Sequence, residues 1–210
     1  MHQRFRDRRE AGRLLASELK NEKGEETIVL GIPRGGIPVA AEIARALGCT
    51  PEVLLCKKIG HPVQKEYAIG AVNLSDAYLI PHKDVEAEYV DQEIVHIRQR
   101  LEEMKIKFNI SKTTPLEKKT VILADDGMAT GRTMMAAVRL IRKSKPRKLI
   151  LAIPVASESA LKLLRPEVDQ LICLYQPDRF SGVGAFYEHF EEFADEDVIR
   201  ELKTFEKSEV

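Results

Sequence analysis

Asp125 and Asp126 end an apolar run, Val121-Ile122-Leu123-Ala124, and are followed at once by Gly127-Met128-Ala129-Thr130-Gly131-Arg132-Thr133. Met134, Ala137, Val138 and Ile141 then recur at helical spacing, so the small-residue loop meets a helix N-terminus. There, unpaired backbone N–H groups and the positive end of the helix dipole favour an anion. Gly127 and Gly131 let the backbone come close, and Thr130 and Thr133 add hydroxyl donors. The glycine spacing is not that of a Walker loop, whose lysine is replaced by Arg132. The dinucleotide fingerprint places its glycines differently and needs an acid about 20 residues further on. Alone, two adjacent acids read as solvated turn residues; the loop and helix after them favour a phosphate site.

The elements that position this loop follow from apolar patterning. Val121, Ile122 and Leu123 read as a strand buried on both faces, a run without alternation, with Asp125 and Asp126 at its C-terminal end. Thr27 to Pro33 is a second such strand, and it empties into Arg34-Gly35-Gly36 before a helix carrying Val39, Ile43, Ala46 and Leu47 and stopped by Gly48. Two glycine loops at strand C-termini of one parallel sheet line the crevice where open α/β folds bind ligands. Glu52 to Cys56 reads as a third strand, followed by Lys57-Lys58 and by the polar segment Gly60-His61-Pro62-Val63-Gln64-Lys65-Glu66, expected to be a mobile loop.

Elsewhere, Arg8 to Lys20 has helical spacing with Ala11, Leu14, Leu15 and Leu19 on one face, and Ala68 to Leu74 with Ala77 to Ile80 form an antiparallel pair. Asp84 to Asn109 is a long helix whose stripe Val90, Ile94, Ile97, Leu101, Met104, Phe108 packs on a sheet of its own chain or on a partner helix. Lys148 to Ala156 and Leu171 to Tyr175 are strands around a helix at Glu158 to Leu164. The alternation predicts an α/β fold, a mostly parallel central sheet flanked by helices. Residues 1–210 are expected to form one domain with its core at about 25–175, and segments 1–20 and 176–210 to form a small hood. Phe180, Phe186, Tyr187, Phe190 and Phe193 cluster in that tail as aromatics do nowhere else in the chain.

Composition narrows the class. Lys plus Arg equals Asp plus Glu at 33 each, so no global field points to nucleic acid or membrane. The apolar runs are too short to span a bilayer and Met1-His2-Gln3-Arg4-Phe5-Arg6 is charged where a signal peptide needs an apolar core, so a cytoplasmic location is expected. Arg4, Arg6, Arg8, Arg9 and Arg13 mostly read as a solvated surface. Cys49, Cys56 and Cys173 form no CxxC and read as buried free thiols; His61, His82, His96 and His189 lack metal-ligand spacing.

The run Val121 to Thr133 resembles the 5-phosphoribosyl 1-pyrophosphate signature of type I phosphoribosyltransferases. Arg4-Phe5-Arg6-Asp7-Arg8, Gly31-Ile32-Pro33-Arg34-Gly35-Gly36, Lys57-Lys58-Ile59-Gly60, Ala68-Ile69-Gly70-Ala71 and the aromatic tail resemble a bacterial and archaeal group of that family, of unassigned acceptor, over nearly the whole chain. The resemblance implies that Asp125 and Asp126 take the ribose hydroxyls, Gly127 to Thr133 hold the 5-phosphate, and Arg34, Gly35 and Gly36 hold the pyrophosphate behind a cis Pro33–Arg34 peptide. It implies catalytic roles for Arg34, Lys57 and Lys58, and a closing loop with His61, Gln64, Lys65 and Tyr67. Mg²⁺ would come with the substrate, with no direct protein ligand assigned beyond a role for Asp125 and Asp126. The partners implied are phosphoribosyl pyrophosphate, a nucleobase-like or small nitrogenous acceptor, and a second copy in a homodimer. Arg132 departs from the pattern, standing where relatives often carry a small residue.

Two other readings compete with a transferase. One is a binding or regulatory module that keeps the sugar-phosphate site without turnover. The other is a nucleotide hydrolase in which Leu123-Ala124-Asp125-Asp126 is a Mg²⁺-binding strand end, which lacks the lysine-bearing glycine loop it requires.

Overall fold

The computed structural model describes residues 4–206 except 66, 83 and 112. Met1 to Gln3, Glu66 of the expected mobile loop, and the end of the expected hood at 207–210 lie outside the described residues.

Helix α1 (Arg8–Glu18) starts where the Asp7 carboxylate accepts the Glu10 N–H at 2.7 Å. It buries Ala11, Leu15 and Ala16, while Leu14, expected on the same stripe, is 43% exposed. Strand β1 (Thr27–Gly31) is buried throughout and ends two residues before the expected Pro33, since proline has no N–H for the ladder. Helix α2 (Gly36–Leu47) is ended by Gly48 at φ 73, the left-handed conformation that favours glycine; Ala46 of its expected stripe faces solvent.

The expected third strand, Glu52 to Cys56, is two strands. β2 (Pro51–Val53) joins the central sheet, the chain leaves it at Leu54–Leu55, and β3 (Cys56–Gly60) opens a separate antiparallel sheet with β4 (Ala68–Asn73) and β5 (Ala77–Leu79). Lys57 and Lys58 therefore lie within a strand and not in a loop. Helix α3 (Ala87–Lys107) packs its Ile97 and Leu101 on this small sheet, against Ile59, Ile69 and Val72, which settles its stripe as a face turned to its own chain.

The remaining elements alternate as expected: β6 (Thr120–Ala124), α4 (Arg132–Lys143), β7 (Lys148–Val155), α5 (Glu158–Leu164) and β8 (Gln170–Tyr175); a terminal helix α6 (Asp195–Glu206), not read from the sequence, follows. The central sheet has the order β2-β1-β6-β7-β8, all parallel. Residues from α4 and α5 pack on one face, those from α1 and α2 on the other. Because β2 and β6 flank β1 on opposite sides, the strand order reverses there, at the place where open α/β folds form a ligand crevice. Gly31 pairs with Ala124, so both loops start at the same level.

The two chain ends meet beside that crevice. Phe5 donates its N–H to Phe186 O at 2.9 Å and accepts Glu188 N–H at 2.8 Å, burying Phe5, Phe186 and Tyr187 together. Glu201 of α6, buried, accepts from Arg9 and, at 2.7 Å, from Arg45, which ties the C-terminal helix to α1 and α2. Among the described residues no helix is long and apolar enough to cross a membrane.

Candidate active site

The loops after β1 and β6 touch. A Cβ built on Gly35 would lie 2.0 Å from Asp126 Oδ2, and one on Gly36 would lie 2.7 Å from the Ala124 carbonyl oxygen and 3.0 Å from Asp125 Cα. These glycines let one loop lie directly against the carboxylates of the other, a tighter role than room for a ligand. The Pro33–Arg34 peptide is cis. Arg34 stands at the rim, 46% exposed, with Glu192 Oε1 at 3.4 Å and Asp195 Oδ1 at 4.0 Å.

Asp126 is held from three sides. Arg8 Nε donates to its Oδ2 at 2.8 Å, with both side chains nearly buried, and the Tyr187 hydroxyl donates to its carbonyl at 2.6 Å. Its own N–H donates to Asp125 Oδ1 at 2.9 Å. The Arg8 guanidinium also lies 3.9 Å from the Phe190 ring centroid and donates to the Glu191 carbonyl at 2.8 Å; Phe190 in turn stacks on Tyr187 at 5.1 Å. Arg8 was expected on a solvated surface, and its partner is 118 residues away in sequence, a pairing no local spacing signals.

Burial raises the Asp125 carboxyl well above the usual carboxylate range, and the adjacent charge of Asp126 adds to this. Burial raises Asp126 as well, with the Arg8 guanidinium opposing. Burial, with Asp125 nearby, also pushes the Cys56 thiol up to about 12, so this cysteine is a poor nucleophile. Cys49, Cys56 and Cys173 are free, partly covered thiols.

A carboxyl with a raised folded-state pKa favours folding below its unfolded value and loses that contribution as pH rises through the folded value. Ionised Asp125 therefore costs stability at neutral pH. Asp125→Asn, which keeps an oxygen for the Asp126 N–H, is expected to raise the thermal midpoint at pH 7.5 and to flatten the rise in stability that the parent is expected to show on acidification. Thermal unfolding from pH 5 to 8 checks both; a lower midpoint at every pH would refute the assignment.

The β6–α4 loop leaves several backbone amides unused. Gly131 caps α4 at φ 69, a conformation that favours glycine. The Met128 N–H is used internally, donating to Val155 O at 2.9 Å, but among the described residues the amides of Ala129, Thr130, Gly131 and Thr133 make no hydrogen bond within the chain. Thr130 and Thr133 are exposed. Arg132 turns sideways, its guanidinium 5.5 Å from the Tyr67 ring centroid.

The small sheet separates the two lysines. Successive strand residues face opposite ways; Lys58 pairs with Ala71, which packs on α4 with Cys56, whereas Lys57 pairs with Val72, which packs on α3. Only Lys58 shares the side of α4 and Asp125. The β3–β4 connection is closed by His61 N–H donating to Tyr67 O at 2.8 Å, with Gln64 O accepting from Tyr67 N–H at 2.8 Å. Lys65 donates to the Tyr89 hydroxyl at 2.9 Å, directing it to α3 and away from Asp126.

Among the described residues no three acid, histidine or cysteine side chains gather to hold a metal. The oxygen donors Asp125 and Asp126 do fit Mg²⁺ carried by a phosphate ligand, the usual mode of one or two carboxylates plus substrate oxygens. Their mutual repulsion is what such a cation would relieve.

Two glycine loops at a switch point of the sheet thus meet at a pair of acids. A family model for the phosphoribosyl transferase domain matches residues 6–183, and the chain belongs to that family. It is 32% identical over 205 residues to a Mycobacterium tuberculosis protein named "Putative phosphoribosyl transferase Rv0571c", covering 93% of this chain and 45% of that one. The chain thus spans about half the length of the curated relatives it matches. The crystal structure of TT1426 from Thermus thermophilus matches with TM-score 0.88 and 38% identity, covering 95% of this chain and 97% of that one. The structure of AQ2163 protein from Aquifex aeolicus, at 16% identity and TM-score 0.51 over 84% of this chain and 78% of that one, shares the fold. The fold is that of the type I phosphoribosyltransferases.

Proposed function

We propose that this chain transfers the phosphoribosyl group of 5-phosphoribosyl 1-pyrophosphate to a nitrogenous acceptor. The observation that carries the reading is the contact of Gly35 with Asp126, which brings the Arg34-Gly35-Gly36 loop against the acids that precede the Gly127 to Thr133 loop. A sugar with phosphate at one end and pyrophosphate at the other spans that arrangement. The amides of Ala129 to Thr133 would hold the 5-phosphate, Asp125 and Asp126 the ribose hydroxyls, and Arg34 with the Gly35-Gly36 backbone the pyrophosphate.

In the reaction the acceptor nitrogen's lone pair forms the bond to C1 while the C1–O bond breaks with its electron pair to pyrophosphate, and the acceptor's N–H proton passes to the released pyrophosphate or to water. The chain's work is orientation and charge. Arg34 meets the leaving pyrophosphate's charge, with Lys58 on the nearer side of β3. Mg²⁺, when bound with the pyrophosphate against Asp125 and Asp126, supplies further positive charge. The β3–β4 connection with His61, Gln64, Lys65 and Tyr67 would close to exclude water. Phe190, stacked on Tyr187 and covered by the Arg8 guanidinium, would wall the site beside Asp126. The terminal segments 1–20 and 176–210 then act as a hood on a single domain, in a cytoplasmic homodimer.

The test is pyrophosphate release from the pyrophosphorylated sugar with Mg²⁺ and a panel of purines, pyrimidines and small amines. Acceptor-dependent release is expected for at least one compound. Saturable sugar binding with no release for any would leave a binding or regulatory module.

A further inference from the structure

The two edges of the central sheet are built differently. β2 is three residues long and begins at Pro51, a short edge opened by a residue without an N–H. β8 is six residues long, Gln170-Leu171-Ile172-Cys173-Leu174-Tyr175, with no charge and no proline. All six are half-buried, whereas β1 and β6 are buried throughout. Asp169 donates its N–H to Leu149 O at 2.9 Å, and Tyr175 O accepts from the Ala156 N–H at 3.2 Å, so the odd-numbered residues turn their backbone to β7. Gln170, Ile172 and Leu174 turn theirs outward, where β8 has no partner among the described residues. Sheet edges are ordinarily guarded by charge, proline, bulges or brevity. None of these guards β8.

We propose that β8 is the interface with a second copy of this chain, the two strands pairing antiparallel about a two-fold axis at Ile172 so that the two five-stranded sheets become continuous. A two-fold axis requires a surface that complements itself. With Ile172 opposite Ile172, Gln170 also meets Leu174, and every outward N–H and C=O of the strand finds a partner. Leu171 and Cys173 pack toward α4 and α5, and Ile172 and Leu174 toward α1 and α2. This register sets Leu171 opposite Cys173 and keeps like faces together. Charge agrees with the antiparallel direction. Arg165, in the turn before β8, and Asp178, after it, are exposed and make no ion pair among the described residues. Antiparallel pairing brings Arg165 of each copy to the end where Asp178 of the other lies. Glu167 and Asp169 at that end are already paired, with Arg139 and Arg142, and Arg179 comes beside them. The assignment does not depend on the transferase reading.

Light scattering on the full chain at micromolar concentration is expected to give twice the chain mass. Leu171→Cys tests the register: mild oxidation should join it to the native Cys173 of the other copy, since a non-hydrogen-bonded pair, with Cα atoms about 4.5 Å apart, lies within disulfide reach. Adding Cys173→Ser should abolish the cross-link. Asp178→Lys and Arg165→Glu, both at exposed positions, should each weaken dimerisation about tenfold or more by setting like charges together. The double variant should recover most of that loss, and this pair decides the matter where Leu171→Cys does not fold. A monomeric parent, its edge then open to an extended peptide, a folded Leu171→Cys dimer that forms no cross-link, or charge variants without effect would each overturn the proposal.

Discussion

Gly35→Ala is expected to leave a folded protein that binds and turns over the pyrophosphorylated sugar about 100-fold less well, the loss typical of a displacement of about 1 Å at reacting groups. The added methyl would sit 2.0 Å from Asp126 Oδ2 and 2.6 Å from its Cγ. A side chain can swing away, but this one is fixed by Arg8 and by the hydrogen bond on its own carbonyl, so it must leave Arg8 to make room. The neighbouring Gly36→Ala is expected to act differently. There the methyl meets the Ala124 carbonyl oxygen at 2.7 Å and Asp125 Cα at 3.0 Å, backbone that cannot rotate aside. Stability should fall by about 1–3 kcal/mol, the usual cost of overpacking. Isothermal titration with the sugar and thermal unfolding separate the two variants. Unchanged sugar affinity in a folded Gly35→Ala protein would remove the loop contact from the site.

The central sheet was legible because a doubly covered parallel strand is a bare apolar run, as at Val121 to Ala124, and because Gly127 to Gly131 and Arg34 to Gly36 punctuate strand ends visibly. The break at Leu54–Leu55 carried no such mark: the apolar run continues across it, with neither glycine nor proline, and only the backbone's departure to a second sheet separates Val53 from Cys56. The lysine pair failed to separate for a related reason. Lys57 and Lys58 are chemically alike, and only the pairing of β3 with β4 assigns them opposite faces. Arg8 was the most hidden. It sits among five arginines in the first 13 residues, and nothing local distinguishes the one that reaches Asp126 from Arg9, which goes to Glu201 and Glu42.

Arg8→Met is expected to be the most damaging single change to stability at neutral pH. The substitution preserves length and apolar contact with Phe190 and removes the charge that offsets Asp126, leaving two adjacent carboxylates nearly buried. Removing one partner of a buried ion pair costs about 3–5 kcal/mol, chiefly the uncompensated charge of the other. Because burial already raises both carboxyls and Arg8 opposes that rise, its loss moves Asp126 further up. The stability tied to a raised carboxyl is present below its unfolded value and lost as pH rises through its folded value. The deficit of Arg8→Met should therefore be largest at neutral pH and above and shrink as pH falls and Asp126 takes a proton. Asp126→Asn removes the charge at the other end, so the double variant should recover most of the loss. A double-mutant cycle by urea unfolding at pH 5.5 and 7.5 measures this directly. Additive losses with no pH dependence would mean that Arg8 acts through its contacts with the Glu191 carbonyl and the Phe190 ring and that Asp126 tolerates burial unaided.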